Sequence, residues 1–169
     1  GGDDVLDNIF GLGSSDLFAE VKRIQIVACG TSLHAGRVAA NWLSAIADLP
    51  CQVDYASEYR YRNPHVDKNS LLITISQSGE TADTLAALSY AKEKNYLGSV
   101  GICNVPTSSL ARESDFVMFT NAGPEIGVAS TKAFTTQLAA LMLLTLSLAK
   151  SRNLNPMLRT RLINGLRAL

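Results

Sequence analysis

Leu71–Tyr90 reads LLITISQSGETADTLAALSY, and the fold class turns on it. Its first five residues, Leu71 to Ile75, form an unbroken apolar and β-branched run, as expected of a strand buried on both faces. Ser76-Gln77-Ser78-Gly79-Glu80 is a short loop. From Thr81 the pattern is helical, with Ala82, Leu85, Ala86, Ser89 and Tyr90 on one face. A buried strand, a tight hydroxyl-rich turn and a helix N-terminus in that order make an anion site. The first backbone N–H groups of a helix have no partner within it, and the helix dipole favours negative charge there. Ser76, Ser78 and Thr81 add neutral hydroxyl donors, Gln77 an amide, and Gly79 lets a ligand approach the backbone closely.

Two common nucleotide sites are excluded. A Walker A loop needs G-x-x-x-x-G-K-[ST], and this loop has neither the Lys nor the spacing. A Rossmann fingerprint, G-x-G-x-x-G, never follows a strand in this chain. No cofactor is expected. Neutral donors without a Lys or a metal carboxylate suit a phosphate monoester on a small molecule. The plainer alternative is an ordinary helix cap, which needs one hydroxyl where this loop has three.

Outward from this stretch, strands alternate with helices. Upstream, Ile24–Ala28 is a strand, Cys29-Gly30-Thr31-Ser32 a loop, and Leu33–Asp48 a helix with Ala35, Val38, Ala39, Trp42, Leu43 and Ile46 as its apolar stripe. Gln52–Ala56 is a second strand, after which Ser57 caps a short helix. Downstream, Asn95 and Gly98 close the helix that starts at Thr81. Ser99–Asn104 is a strand, Ser108 or Ser109 caps one turn running to Glu113, and Phe116–Thr120 is a fifth strand. A polar loop over 121–129 leads to a long apolar helix from Ser130 or Thr131 to Arg152. Asn155-Pro156 opens a last helix, Asn as cap and Pro at the first position, with Leu158, Leu162, Leu166 and Leu169 as its stripe. The fold class expected is α/β: a three-layer doubly wound sandwich with a five-stranded parallel sheet of order 2-1-3-4-5, flavodoxin-like in topology. In that order the switch point lies between the first and third strands. The loops Cys29–Ser32 and Ser76–Glu80 then face one crevice, with the loop Glu125–Ser130 on the same edge.

Composition narrows the function. The chain has 169 residues, 47% hydrophobic, with no formal net charge. That length fits one domain with a full core. Zero net charge leaves no electrostatic footprint for nucleic acid or an anionic membrane. Cys29, Cys51 and Cys103 are odd in number and form no C-x-x-C pair, which fits a reduced, cytoplasmic setting. His34 and His65 lack metal-ligand spacing, so no metal site is expected. The apolar run 133–149 carries Thr135, Thr136, Gln137, Thr145 and Ser147 and falls short of a membrane span, so a core helix, or one shared with a partner subunit, is expected. It is apolar on more sides than one sheet face can cover, which predicts self-association through Phe134–Leu148. Three segments follow: a lead-in over 1–20, in which Gly1-Gly2 reads as a cloning remnant and Val5, Leu6, Ile9 and Phe10 as docking residues; a domain over 21–152; and a helical segment over 153–169. The pattern stops within a helix without a cap, which predicts a continuation.

With these residues in view, the chain resembles the sugar-isomerase (SIS) family. Within it, it looks like the first isomerase lobe of the amidotransferases that make glucosamine 6-phosphate from fructose 6-phosphate and glutamine. The matching motifs are ACGTS (Ala28–Ser32), ASEYRYR (Ala56–Arg62), SQSGETADT (Ser76–Thr84), ICNVPTSSLARESD (Ile102–Asp115) and EIGVASTKAFTTQ (Glu125–Gln137). They cover most of the chain from about Val21 to Lys150. The resemblance implies that Ser76, Gln77, Ser78 and Thr81 bind the sugar phosphate. It implies that Thr31 and Ser32 contact it from the neighbouring loop, and that Val128 and Ser130 line the sugar side. It also implies a homodimer, and a second lobe and a glutaminase domain elsewhere in the parent enzyme, which feeds amino-sugar and cell-wall precursor synthesis. The family's enolisation base, ring-opening histidine and Schiff-base lysine belong to that second lobe and its tail, so no catalytic residue is assigned here and this lobe alone is expected to be inactive. Two other functions remain open at this stage. One is a stand-alone regulatory SIS module, disfavoured for a transcription factor because the residues before Val21 are acidic and few. The other is a complete single-domain isomerase, for which His34, His65, Glu80 and Glu125 are the bases on offer.

Overall fold

The computed structural model describes residues 9–123, 131–152 and 154–168. Five strands, β1 (Arg23–Ala28), β2 (Cys51–Tyr55), β3 (Ser70–Ile75), β4 (Gly98–Cys103) and β5 (Phe116–Phe119), form one sheet of order β2-β1-β3-β4-β5. Every neighbouring pair is parallel. The helices are α1 (Ser14–Glu20), α2 (Gly30–Ala47), α3 (Ala56–Tyr59), α4 (Ala82–Lys92), α5 (Ser109–Glu113), α6 (Thr131–Ala149) and α7 (Pro156–Arg167). A single 3-10 turn, Lys150–Arg152, extends α6 to the residue where the sequence pattern ends it.

The sheet order follows from where the apolar runs are. β3 is buried at all six positions, and β1 and β4 at five of six, so these strands occupy the centre. The edge strand β5 is half-buried throughout, and β2 has one buried position of five. Alternate side chains of the central strands feed two cores. Ile24, Ile26, Leu71, Ile73, Ile75, Val100 and Ile102 pack with α1, α2 and α6. Val27, Leu72 and Cys103 pack with α3, α4 and α5. Burying each of the Ile, Leu and Val side chains among these stabilises the fold by roughly 1.5–3 kcal/mol.

Several boundaries differ from the sequence expectation. α2 starts three residues before Leu33, because the small polar residues Gly30, Thr31 and Ser32 form its first turn instead of a loop. α3 starts at Ala56, one residue before its expected cap Ser57. α4 ends at Lys92, and Gly98 opens β4 instead of closing a helix. A Cβ on Gly98 would stand 2.9 Å from Leu17 Cδ1, so the leucine of α1 packs directly over the start of β4. The buried face of α4 is Thr84, Ala87, Leu88 and Ala91, not the expected set, of which Ala82 and Ser89 are exposed. Alanines lie all round this helix, so periodicity does not single out a face.

Other elements match closely. Ser108 caps α5 by accepting from Ala111 N at 3.3 Å. Asn155 Oδ1 accepts from Met157 N at 2.9 Å, with Pro156 at the first helical position. The lead-in residue Phe10 is buried and stacks edge-on against Phe18 of α1. Val5 and Leu6 lie outside the described residues. By length and composition Lys132–Arg152 could cross a bilayer, but over half of its apolar window is buried. Leu141, Leu144 and Leu148 belong to the core, which is the position of a core helix. α7 has no buried residue; Leu158 is 40% exposed.

Candidate functional site

β1 and β3 pair so that Ala28 stands beside Ile75. The segments that follow, into α2 and into α4, therefore leave the sheet side by side at its C-terminal edge. Both helix N-termini lack a side-chain cap. Cys29 at the start of α2 makes no capping bond, and neither does Thr81 at the start of α4. Thr81 is a residue type that ordinarily turns its hydroxyl onto the helix's own N–H groups. Here that hydroxyl bonds Ser76 Oγ at 2.8 Å instead. The first N–H groups of α4 keep their donor capacity, and the plain capping alternative fails at its key residue.

The Ser76–Thr81 loop is held from inside and from outside. Inside, Ser76 Oγ accepts from Gly79 N at 3.0 Å and Ser78 Oγ accepts from Glu80 N at 3.1 Å. Both hydroxyls use a lone pair, so the Ser78 hydrogen stays available, and the Ser76–Thr81 pair has one hydrogen beyond the bond that joins them. Outside, the segment after β4 grips the loop at three points. Asn104 N donates to Gln77 O and Leu110 N to Gly79 O, each at 3.0 Å. Ser109 N donates to Glu80 Oε1 at 2.7 Å. Gly79 has φ +67°, and a Cβ on it would lie 2.2 Å from Ser108 Oγ. The structure thus gives Gly79 a role the sequence does not signal, close approach to Ser108. Rigid neutral donors around one point, beside two helix N-termini, can hold a phosphate dianion without moving.

Glu80 is occupied as the anionic cap of α5. The Ser109 N–H bond, with a smaller contribution from the Arg112 charge, holds its carboxyl below the ordinary value of 4.5. A base for sugar chemistry needs a pKa nearer neutrality. A group whose folded pKa is depressed adds stability above its unfolded pKa, and that stability is lost as pH falls through the folded value. Glu80→Gln should therefore be less stable than wild type at neutral pH. The difference should start to close as pH falls below about 4.5 and vanish once pH has passed through the lower value at which the folded wild type loses its charge. Urea denaturation of both proteins from pH 7 to pH 3 measures it, and a gap of constant size would contradict the capping role.

The remaining expected residues fall as follows. Ser32 is buried in the first turn of α2 and Thr31 is exposed beside it. His34 is exposed in the same turn, and His65, 90% exposed at its side chain, sits 3.4 Å from Asp67. Glu125, Val128 and Ser130 lie outside the described residues. No three His, Cys, Asp or Glu among the described residues could share a metal ion. All three cysteines are free thiols; burial pushes Cys51 up to about 12 and raises Cys103, which keeps both in the unreactive thiol form.

Two residues that the sequence reading left without a role also reach this edge. Asn104, the polar residue after the apolar β4, accepts from Ala122 N at 2.7 Å and Thr120 Oγ1 at 3.2 Å, and donates to Gly123 O at 3.0 Å. It ties the Ser76–Thr81 loop to the segment after β5. Gln137, a lone buried amide in α6, donates to Ser32 Oγ at 3.1 Å. The signal in each case was a polar residue breaking an apolar pattern.

Two uncapped helix N-termini thus meet at the switch point of a 2-1-3-4-5 sheet, where doubly wound α/β domains bind their ligands. The SIS domain family profile matches residues 17–147, and the chain belongs to that family. Over its whole length the chain is 59% identical to glutamine–fructose-6-phosphate aminotransferase [isomerizing] of Pseudomonas putida, covering 28% of that protein. It is 60% identical to the enzyme of the same name from Legionella pneumophila over 92% of the chain and 26% of that protein. The chain thus spans about a quarter of the length of these relatives. Among solved structures, the C-terminal domain of glucosamine-fructose-6-phosphate aminotransferase from Francisella tularensis superposes with TM-score 0.89 at 53% identity. The match covers 92% of this chain and 44% of that one.

Proposed function

We propose that this chain is the phosphosugar-binding lobe of a glutamine–fructose-6-phosphate aminotransferase, the first of two SIS lobes. Its ligand is fructose 6-phosphate or the product glucosamine 6-phosphate. Ser76, Gln77, Ser78 and Thr81 hold the phosphate, Thr31 and Ser32 reach the sugar or its phosphate from α2, and Val128 and Ser130 line the sugar side. Residues 21–152 are the binding domain, 1–20 a lead-in, and 153–169 a helical passage to the second lobe. The parent enzyme is a cytoplasmic homodimer whose second lobe and glutaminase domain supply the proton-transfer groups and the ammonia. The observation that supports this reading best is Thr81, whose hydroxyl is turned onto Ser76 and away from its own helix. Such a cap weakens a helix unless a ligand meets its N–H groups.

On this reading the chain binds substrate but does not convert it. Moving a proton between C1 and C2 of a ketose phosphate needs a positioned base near neutral pKa. The one carboxylate of the phosphate loop, Glu80, is held as an anion by Ser109. A thermal-shift titration with fructose 6-phosphate, paired with a product assay with glutamine or ammonia, tests both halves. At a hundredfold excess over Kd, binding stabilises by about 2.7 kcal/mol, or a rise in Tm of roughly 5–11 °C for a domain of this size. No shift with any hexose 6-phosphate would defeat the binding half. Formation of glucose 6-phosphate or glucosamine 6-phosphate would defeat the other and favour a complete single-domain isomerase.

A further inference from the structure

The buried face of α6 is mostly apolar, with Ala133, Ala140, Leu141, Leu144 and Leu148 each at most 3% exposed; the hydroxyl of its buried Thr145 is satisfied within the helix, donating to Leu141 O at 2.8 Å. Gln137 stands on that face at 2% exposure. Its Nε2 donates to Ser32 Oγ at 3.1 Å, across 105 residues of sequence. Its Oε1 has no hydrogen-bond partner among the described residues. A buried carbonyl without a donor opposes folding, and a Leu or Met of similar volume would avoid it. Packing therefore does not account for Gln137, and a residue that breaks a packing rule in a core points to a functional demand.

The demand is at Ser32. A serine hydroxyl has one hydrogen and two lone pairs. The Gln137 amide occupies a lone pair, which leaves the hydrogen for another acceptor. With the amide turned round, Oε1 would take that hydrogen and Ser32 would present only lone pairs, which repel an anion. The orientation found is the one that makes Ser32 a donor at the N-terminus of α2.

We propose that Gln137 is a positioning residue: it holds the Ser32 hydroxyl as a hydrogen-bond donor to an oxygen of the bound sugar phosphate, without touching the ligand itself. This rests on the phosphosugar reading above. The test is a double-mutant cycle on the 169-residue chain, with fructose 6-phosphate affinity read by calorimetry and Tm read separately. Gln137→Met should weaken affinity about tenfold, the scale of one charge-assisted hydrogen bond, while Tm stays level or rises. In a Ser32→Ala background the same change should alter affinity less than about twofold, because the hydroxyl it acts through is gone. A merely structural role predicts the reverse, a lower Tm and equal losses in both backgrounds, and that result overturns the proposal. So does wild-type affinity in Gln137→Met. Should Gln137→Met fail to fold, Gln137→Glu carries the test: its carboxylate accepts from Ser32 where the amide donates, so affinity should also fall, and wild-type affinity in the folded variant overturns the proposal. If the wild-type chain itself binds no fructose 6-phosphate, the phosphosugar reading fails and this inference with it. If the wild type binds and the Gln137 variants match it, only the inference fails.

Discussion

Gly79→Ala is expected to lose roughly 2–5 kcal/mol of stability and all measurable affinity for fructose 6-phosphate. Two effects add. A left-handed backbone at a residue with a Cβ costs about 1–2 kcal/mol, and Gly79 has φ +67°. Overpacking adds about 1–3 kcal/mol, since the new Cβ would stand 2.2 Å from Ser108 Oγ and 2.5 Å from Ser108 Cβ. Ser108 cannot step aside cheaply. It is 1% exposed, and its hydroxyl caps α5 through Ala111 N. Movement of Gly79 instead would break the Leu110 N bond to its carbonyl and the Gly79 N bond to Ser76 Oγ. Either relief distorts the loop that is to hold the phosphate. Gly13→Ala is the control: φ is +83°, yet nothing lies within 4 Å of the added Cβ. Only the backbone effect of about 1–2 kcal/mol should appear there, with affinity kept. Urea denaturation and calorimetry of the two variants separate these effects. Equal stability losses at Gly79 and Gly13 would remove the contact with Ser108 from the argument.

The same residue shows where the sequence was legible and where it was not. The architecture could be read because it is encoded locally. Continuous apolar runs such as Leu71–Ile75 mark the central strands, and their alternation with helices leaves few topologies. The switch point, and with it the Ser76–Thr81 and Thr31–Ser32 segments, followed from strand order. What could not be read depends on partners distant in sequence. Gly79 meets Ser108, Glu80 caps a helix 29 residues on, and Gln137 meets Ser32. The start of α2 was missed because small polar residues look like loop, although they are what a helix carries where its N–H groups remain free. The face of α4 was missed because alanine is apolar enough to bury and small enough to expose. The long helix α6 looked too apolar for one sheet face. The structure packs its buried face against α2 and α1 as well as the sheet, while α7 has no buried residue.

Ser76→Ala is expected to weaken fructose 6-phosphate binding more than Ser78→Ala and, unlike it, to destabilise the fold. Both hydroxyls belong to the phosphate loop, but they do different work. Ser78 Oγ accepts only from the exposed Glu80 N. Its removal deletes one donor to a charged acceptor, a loss of about 1.5–3 kcal/mol in binding, or roughly ten- to 150-fold in affinity, with little change in stability. Ser76 is 3% exposed, and its oxygen holds both the buried Gly79 N–H and the Thr81 hydroxyl. Without it the Gly79 N–H is an orphaned buried donor, which costs about 1–3 kcal/mol of stability. The freed Thr81 hydroxyl can then turn back onto the N–H groups of α4 and compete with the ligand for them. Binding thus loses a donor, the preorganisation of the loop and part of the helix N-terminus at once. Chemical denaturation and calorimetry on the two variants give four numbers, and the pattern among them is the test. Wild-type affinity in a folded Ser76→Ala would move the phosphate site away from this loop. Equal stability losses in both variants would mean that the Ser76–Gly79–Thr81 arrangement does not organise it.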